Sequence, residues 1–309
     1  MFLLRSPSAL PCLSVLVLSC LVGSGCTTSS SPEQAAFKFL KEEAAATGEL
    51  DADGHVVSLA SNSLTDVQGI HLAALPSLKS LTLSRSSIGD RATGVIGGLT
   101  RLRTLLLDQT QVTDAGLSNL SQLKQLQELN LAGCKITDAG LASLANHPEL
   151  IMLNLNDTQI RGPGLAQLDK LALLQSLYLQ GTAVDFEGEP PLTGLSELKM
   201  LHLARTKVGG GIVRAVSGLP NLERLYLNET QIQDADIPAL AAVLAENTPH
   251  LKGLFVENTQ LSDAALEPLH PLSNLVEFTL IHIHGTKITK AGLVRLRGLL
   301  PDANVVSNH

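Results

Sequence analysis

Leu126–Glu149 reads LQELNLAGCKITDAGLASLANHPE, and this stretch decides the fold. The block before it, LRTLLLDQTQVTDAGLSNLSQLKQ from Leu102, keeps the same apolar positions and changes the rest. So does the block after it, LIMLNLNDTQIRGPGLAQLDKLAL from Leu150. Leu78, Leu102, Leu126, Leu150, Leu174, Leu198 and Leu222 follow one another at 24 residues each time. A repeat of this size marks a solenoid, in which each copy buries its apolar face against its neighbours. Within the block, Leu129 and Leu131 alternate with Asn130 and Ala132, the period-two pattern of a strand with one buried face. The leucines are expected to point inward and the other two outward.

Three residues after the second leucine runs a small polar column: Asn62, Ser86, Thr110, Cys134, Thr158, Thr182, Thr206, Thr230, Thr259 and Thr286. Here the chain leaves the sheet, and buried backbone groups need partners. The column is expected to serve the neighbouring rung as a ladder along the solenoid. An apolar column follows (Ile88, Val112, Ile136 and their equivalents), then in many copies Thr/Ser-Asp, a helix-start signal. Leu141 and Leu144 supply the i, i+3 inner stripe of a short outer helix.

These columns resemble the leucine-rich-repeat family, in its short bacterial form with T-x-I-T-D-A-G-L, over roughly residues 49 to 306. The resemblance implies an α/β solenoid of about ten rungs, with a curved parallel sheet on the concave side and short helices on the convex side. It also implies a final capping strand near Leu299–Val306, which would shield the last rung from edge-to-edge pairing.

The chain has 309 residues, and one repeating core can run that length. Aromatics are only 3% and Trp is absent, as expected where layers of Leu, Ile, Val and Ala fill the interior. A net charge of −7 with no basic stripe argues against nucleic acid. Three of the four cysteines, Cys12, Cys20 and Cys26, fall in the first 26 residues, so no disulfide framework is available to the repeats. Cys134 sits in the polar column, where a buried structural role is expected.

Residues 1–25 combine Arg5 with an apolar run from Ala9 to Val22, the form of a signal peptide. The end, Leu21-Val22-Gly23-Ser24-Gly25-Cys26, resembles a bacterial lipoprotein signal, which would make Cys26 the lipidated first residue of the mature protein. Gly23 departs from the leucine usual at that position in the family. Residues 26–32 read as a flexible tether. Ser31-Pro32-Glu33-Gln34 then opens a helix with a capping box. Residues 33–48 are expected to form a capping helix ended by Gly48, and 49–309 the solenoid. His55–Leu64 is read as the first rung, aligned 24 residues before the next.

Two departures are expected to show on the convex side. Asp185–Pro191 cannot hold a helix, because consecutive prolines remove donors and clash. Extra residues around Ala241–His250 should lengthen the outer helix of the eighth rung. The tenth strand has two possible registers, Phe278-x-x-Ile281-x-Ile283 after an insertion or Leu275-x-x-Phe278-x-Leu280 with a bulge. Ile283-His284-Gly285-Thr286 matches Leu131-Ala132-Gly133-Cys134 and favours the first.

No Gly-rich phosphate loop, H-E-x-x-H, C-x-x-C or G-x-S-x-G occurs, so no catalytic, cofactor or metal residue is assigned. The periodic aspartates (Asp66, Asp90, Asp114, Asp138, Asp234 and Asp263) are read as helix-start residues. The positions the repeat leaves free are more informative. The outward residue between the inner leucines runs Ser58, Thr82, Leu106, Asn130, Asn154, Tyr178, His202, Tyr226, Phe255 and His282. Equivalent outward residues of adjacent strands share one surface. Tyr178, His202, Tyr226 and Phe255 are therefore expected to form a strip, flanked by Met200, Arg224, Gln180, Asn228 and Glu257. Aromatics and Arg dominate binding energy at interfaces, so this is the candidate ligand-binding surface, with His282 and His284 at its end.

The reading is a non-enzymatic scaffold of the bacterial cell envelope, held to the membrane through an N-terminal lipid anchor. It would recognise another protein, or a glycan as the second choice, through the concave face. No nucleic acid or small-molecule substrate is expected. The alternatives are an envelope spacer without a tight ligand and an intracellular or delivered adaptor.

Overall fold

A computed structural model describes residues 30–187 and 192–307. The signal peptide, most of the tether, Cys26 and the Pro190-Pro191 pair lie outside the described residues.

Helix α1, Pro32–Glu43, starts as its sequence dictates. The Ser31 hydroxyl accepts from the Gln34 amide at 3.2 Å, and the Gln34 side chain accepts from the Ser31 amide at 3.3 Å. Phe37 and Leu40 are buried on the inner face. The helix stops earlier than its composition suggests. Ala44 is its C-cap, and Gly48 lies instead in strand β1, Thr47–Leu50, antiparallel to β2, Val56–Ala60. Gly48 is opposite Leu59, and a side chain there would run into the Ser58 carbonyl and the Phe37 ring. The glycine thus admits the sheet edge beneath the helix. It does not terminate it.

From β2 onward every strand pairs in parallel with the next. The strands are β3 (Ser80–Thr82), β4 (Thr104–Leu106), β5 (Glu128–Asn130), β6 (Met152–Asn154) and β7 (Ser176–Tyr178). They continue as β8 (Met200–His202), β9 (Arg224–Tyr226), β10 (Gly253–Phe255), β11 (Leu280–His282) and β12 (Asn304–Val306). The twelve-stranded sheet runs in chain order, with ten parallel rungs between β1 and β12. The central residue of each three-residue strand, leucine in β3–β10, Ile281 in β11 and Val305 in β12, is buried, with its two neighbours turned to the concave side. β12 pairs with β11 and closes the last rung.

Two registers repay comparison with the sequence. Ile281 lies opposite Leu254 and His282 opposite Phe255, so the tenth rung adopts Phe278-x-x-Ile281-x-Ile283. The first rung is out of step. Leu59 pairs with Leu81 and Ala60 with Thr82, at 22 residues, so Ala60 belongs in the outward column where Ser58 was expected. Ser58 pairs with Ser80, one pleat earlier. The cause is a shorter turn. Leu64 follows Leu59 by five residues, whereas Ile88 follows Leu81 by seven. Ser61 replaces the second inner leucine, and its hydroxyl, with that of Ser63, donates to the Ala44 carbonyl at 2.5 and 2.8 Å, tying the rung to α1.

The polar column does not form the ladder expected of it. Each hydroxyl turns back on its own rung: Thr110, Thr158, Thr182, Thr206 and Thr230 donate to the carbonyl three residues earlier at 2.6–2.7 Å. Cys134 is the exception, its thiol reaching the Leu107 carbonyl of the preceding rung at 3.1 Å. Burial raises the Cys134 pKa, which suits a structural thiol. Asn62 is exposed.

The inter-rung ladder is made by the aspartates. The Asp90 carboxylate accepts from the Thr113 amide at 2.9 Å and hydroxyl at 2.6 Å, and Asp114 repeats both bonds to Thr137. Asp234 and Asp263 do the same to Ser262 and Thr289. The helix-start reading was therefore too local. Thr113 caps its own helix through Ala115, while the aspartate beside it holds the next rung. The glycine of T-D-A-G-L explains itself in this light. A Cβ at Gly116, Gly140 or Gly292 would overlap the carboxylate arriving from Asp90, Asp114 or Asp263. Ala92 and Ala265 occupy the equivalent place in two copies, so the fit is not uniform along the chain.

The convex side mixes short α-helices with 3-10 turns. As expected, residues 185–187 carry no helix, and the eighth rung carries the longer helix Ile237–Asn247.

One column breaks its own rule. His147 stands where Leu123 and Leu171 stand in adjacent rungs, fully buried, with Nδ1 3.0 Å from the Leu123 carbonyl and Nε2 without a partner. Burial, opposed by that bond, pushes its pKa below the ordinary imidazole value. The folded protein therefore holds His147 neutral, and the unfolded chain takes up more protons as pH falls. That proton uptake costs nothing above about pH 6.5 and lowers stability increasingly as pH falls below it. His147→Leu is expected to raise stability by about 1 kcal/mol at neutral pH, by removing an unsatisfied buried nitrogen. It should also flatten the acid limb of a urea-unfolding series across pH. His202, whose pKa is also lowered, adds to the same limb, while His55, whose pKa is raised by Glu33, opposes it.

Candidate functional site

The concave face gathers the free positions of the repeat into one surface. In-register pairing places Tyr178 beside His202, His202 beside Tyr226, Tyr226 beside Phe255 and Phe255 beside His282. The rings touch in that order. Their centroids are 6.0 Å apart from Tyr178 to His202, 4.7 Å to Tyr226, 4.1 Å to Phe255 and 4.8 Å to His282. His202, Tyr226 and Phe255 are stacked, with interplanar angles of 19° and 10°, while both ends are tilted. The spacing follows from the sheet: parallel strands lie about 4.8 Å apart, close to ring-stacking distance. Gly253 makes room for the Phe255 ring, since a Cβ there would stand 3.0 Å from its Cε2.

Burial in the stack has electrostatic effects. It lowers the His202 pKa, with Arg205 adding to the shift, and raises that of Tyr226. His202 Nδ1 is buried without a hydrogen-bond partner among the described residues. The imidazole is thus held neutral between two phenols.

The flanking residues fall where the sequence puts them. Met200 pairs with Arg224 on the strand-entry side, and Arg224 is exposed. On the exit side, His282 Nδ1 lies 2.8 Å from Glu257, which also accepts from Asn228. Arg205 contacts Asp157 at 3.3 Å and, with the Gln180 amide turned oxygen-first, Gln180 at 2.7 Å. His284 is exposed one pleat beyond His282. Among the described residues no three His, Cys, Asp or Glu side chains converge as a metal site would require. The early rungs offer Thr82, Leu106, Asn130 and Asn154 instead, and Asp108 there accepts from Ser84 and Asn130.

Sequence reasoning missed one column. From Ser86 onward the residue before each small polar position has a left-handed backbone: Arg85, Gln109, Gly133, Asp157, Gly181, Arg205, Glu229, Asn258 and Gly285. It sets the rim of the concave face and aims Arg205 and Asp157 at each other. Gly, Asn and Asp at five of these positions were the available signal.

Models of two leucine-rich-repeat families match the sequence, one over residues 55–112 and one over 123–145. The chain is built of leucine-rich repeats. None of the curated proteins compared matches it. Solved structures of similar fold include a chain of the PEPR1–AtPEP1 complex, 20% identical with a TM-score of 0.55, covering 84% of this chain and 36% of that one. Two others are an internalin (inlF) from Listeria monocytogenes and the leucine-rich-repeat protein LIC12759 of Leptospira interrogans. The internalin is 19% identical with a TM-score of 0.45, covering 84% of this chain and 91% of that one. The Leptospira protein is 16% identical with a TM-score of 0.48, covering 76% and 74%. At these identities the likeness concerns the fold alone. The leucine-rich-repeat architecture is that of a protein-interaction scaffold. No helix of the described residues is long and apolar enough to cross a membrane.

Proposed function

We propose that this leucine-rich-repeat chain is a non-enzymatic scaffold of the bacterial cell envelope that holds another protein against its concave face between β7 and β11. The observation that carries the reading is the continuous file of Tyr178, His202, Tyr226, Phe255 and His282. Both tyrosines of the chain fall in this one column. A preformed sheet binds with little ordering cost, so its half-buried anchors Tyr178, His202, Tyr226 and His282, with the buried Phe255 ring packed among them, can carry most of the affinity. Photo-crosslinking from position 202 in cells supplies the partner for measurement. Replacing Tyr178, Tyr226 and Phe255 together by Ser is expected to weaken that partner about 100-fold, at the scale of interface hot spots. The unfolding midpoint is followed in parallel to separate lost affinity from lost fold.

A second reading, an envelope spacer without a tight ligand, draws on the same rings, because stacked cross-strand neighbours stabilise a sheet on their own. Under that reading the triple variant loses stability and nothing else, and co-purifying proteins are unchanged.

Envelope anchoring draws on Arg5, the apolar run from Ala9 to Val22, and Cys26. Metabolic labelling with a lipid analogue is expected to mark the wild-type chain and not Cys26→Ser. An unlabelled chain found in the cytoplasm would establish the intracellular adaptor in its place.

A further inference from the structure

An aromatic ring recognises ligands in two ways. Its face is rich in π electrons and receives the C–H groups of a sugar or another planar group, whereas its edge carries the positive part of the quadrupole and attracts oxygen. In the concave strip the faces are already occupied. Tyr226 has Phe255 at 4.1 Å on one side and His202 at 4.7 Å on the other, both nearly parallel to it. His202 in turn has Tyr178 beyond it, and Phe255 has His282. What the middle of the file presents to a partner is edges and polar tips.

The charges around those edges are one-sided. Arg224 and Lys199 are exposed on the strand-entry flank, and neither has a carboxylate within ion-pairing distance among the described residues. Their neighbours are neutralised: Lys252 meets Glu223 at 2.9 Å and Glu277 at 3.5 Å, Arg205 meets Asp157, and Glu257 meets His282. Glu229 is exposed, but it sits on the rim column past Asn228, across the strip from Arg224. In a chain of net charge −7, the entry flank of the strip therefore offers free positive charge. Gly253, which pairs with Arg224, leaves room for the Phe255 ring above it, so the strand position beside Arg224 is roofed by an aromatic side chain.

Resting on the reading that this strip is the binding face, we infer that its partner is an extended acidic peptide segment of another protein, laid across β7–β11. A carboxylate would meet Arg224, and further oxygens would meet the ring edges. A guanidinium suits a carboxylate through paired charge-assisted bonds. Saccharide stacking is disfavoured along His202, Tyr226 and Phe255, whose faces are given to neighbouring rings.

Panning a random dodecapeptide phage library against the full chain tests the assignment. Selected sequences are expected to be enriched in Asp and Glu. A synthetic selected peptide should bind R224E at least about tenfold more weakly, bind R224K with intermediate affinity because the charge stays and the paired bonds go, and weaken as salt rises. Selection without acidic bias, unchanged affinity for R224E, or chito- or cello-oligosaccharides binding the strip in place of peptide would each overturn it. A peptide indifferent to R224E but lost by Y178S/Y226S/F255S overturns the acidic assignment and keeps the strip as the binding face. One indifferent to both variants, or a library that yields no binder, overturns the peptide assignment. In that last case capture from position 202 still decides whether the strip binds protein.

Discussion

Gly140→Val is expected to destabilise the protein by about 3 kcal/mol, the upper range for forcing volume into a packed site. The Asp114 carboxylate lies where the new side chain would go, and it already holds the Thr137 amide and hydroxyl at 2.9 and 2.6 Å. Valine must push the carboxylate aside, which costs charge-assisted bonds as well as space. The decisive measurement is a double-mutant cycle by urea unfolding. Asp114→Gly alone loses the bonds, but it also vacates the space, so the double variant should cost less than the two single changes added together. Strict additivity would mean that the glycine is there for backbone reasons and not for its neighbour's side chain.

Phe37→Ala is expected to cost about 3–4 kcal/mol, the range for deleting a buried aromatic. Phe37 closes the first rung, packed in the core beside Leu40 and against the backbone at Gly48. A solenoid's stability is a sum of neighbouring interfaces, so the damage should be uneven. Hydrogen exchange should show protection lost first at β1, β2 and Ser61, falling away over the next rungs, with β8–β10 least affected. Uniform loss across the sheet would mean that the chain unfolds as one unit.

Much of this was legible in the sequence, for a physical reason. The buried positions repeat, and repetition makes a pattern readable without knowledge of the fold. The inner leucines and Tyr178, His202 and Tyr226 follow from counting in twenty-fours, Phe255 and His282 from re-aligning the repeat after its insertions, and the capping box from the local Ser31-Pro32-Glu33-Gln34 signature. What escaped was either local exception or direction. The first rung slipped because Ser61 and Ser63 trade an inner leucine for bonds to Ala44, a contact between segments that the repeat does not contain. The threonines turn to a different partner from the one expected, and the aspartates, which do stand at helix starts, also bond across to the next rung, because a column shows that a side chain is needed but not which way it reaches. Gly48 was misread because a glycine serves equally to end a helix and to admit a strand. At the candidate site, the sequence revealed the file of rings. That their faces are consumed by one another depends on interplanar angles, which no spacing encodes.

The meeting of one copy's carboxylate with the next copy's glycine also bears on how such a chain changes length. Both halves of the joint, the aspartate and the glycine, are carried in each of the two T-D-A-G-L units, at 113–117 and 137–141. Unequal recombination that adds or removes a whole unit therefore creates a junction already fitted on both sides. Events that cut within a unit would leave an orphaned charge and be purged. The arc can lengthen or shorten in steps of one strand, carrying new outward residues with each step and leaving the interior undisturbed.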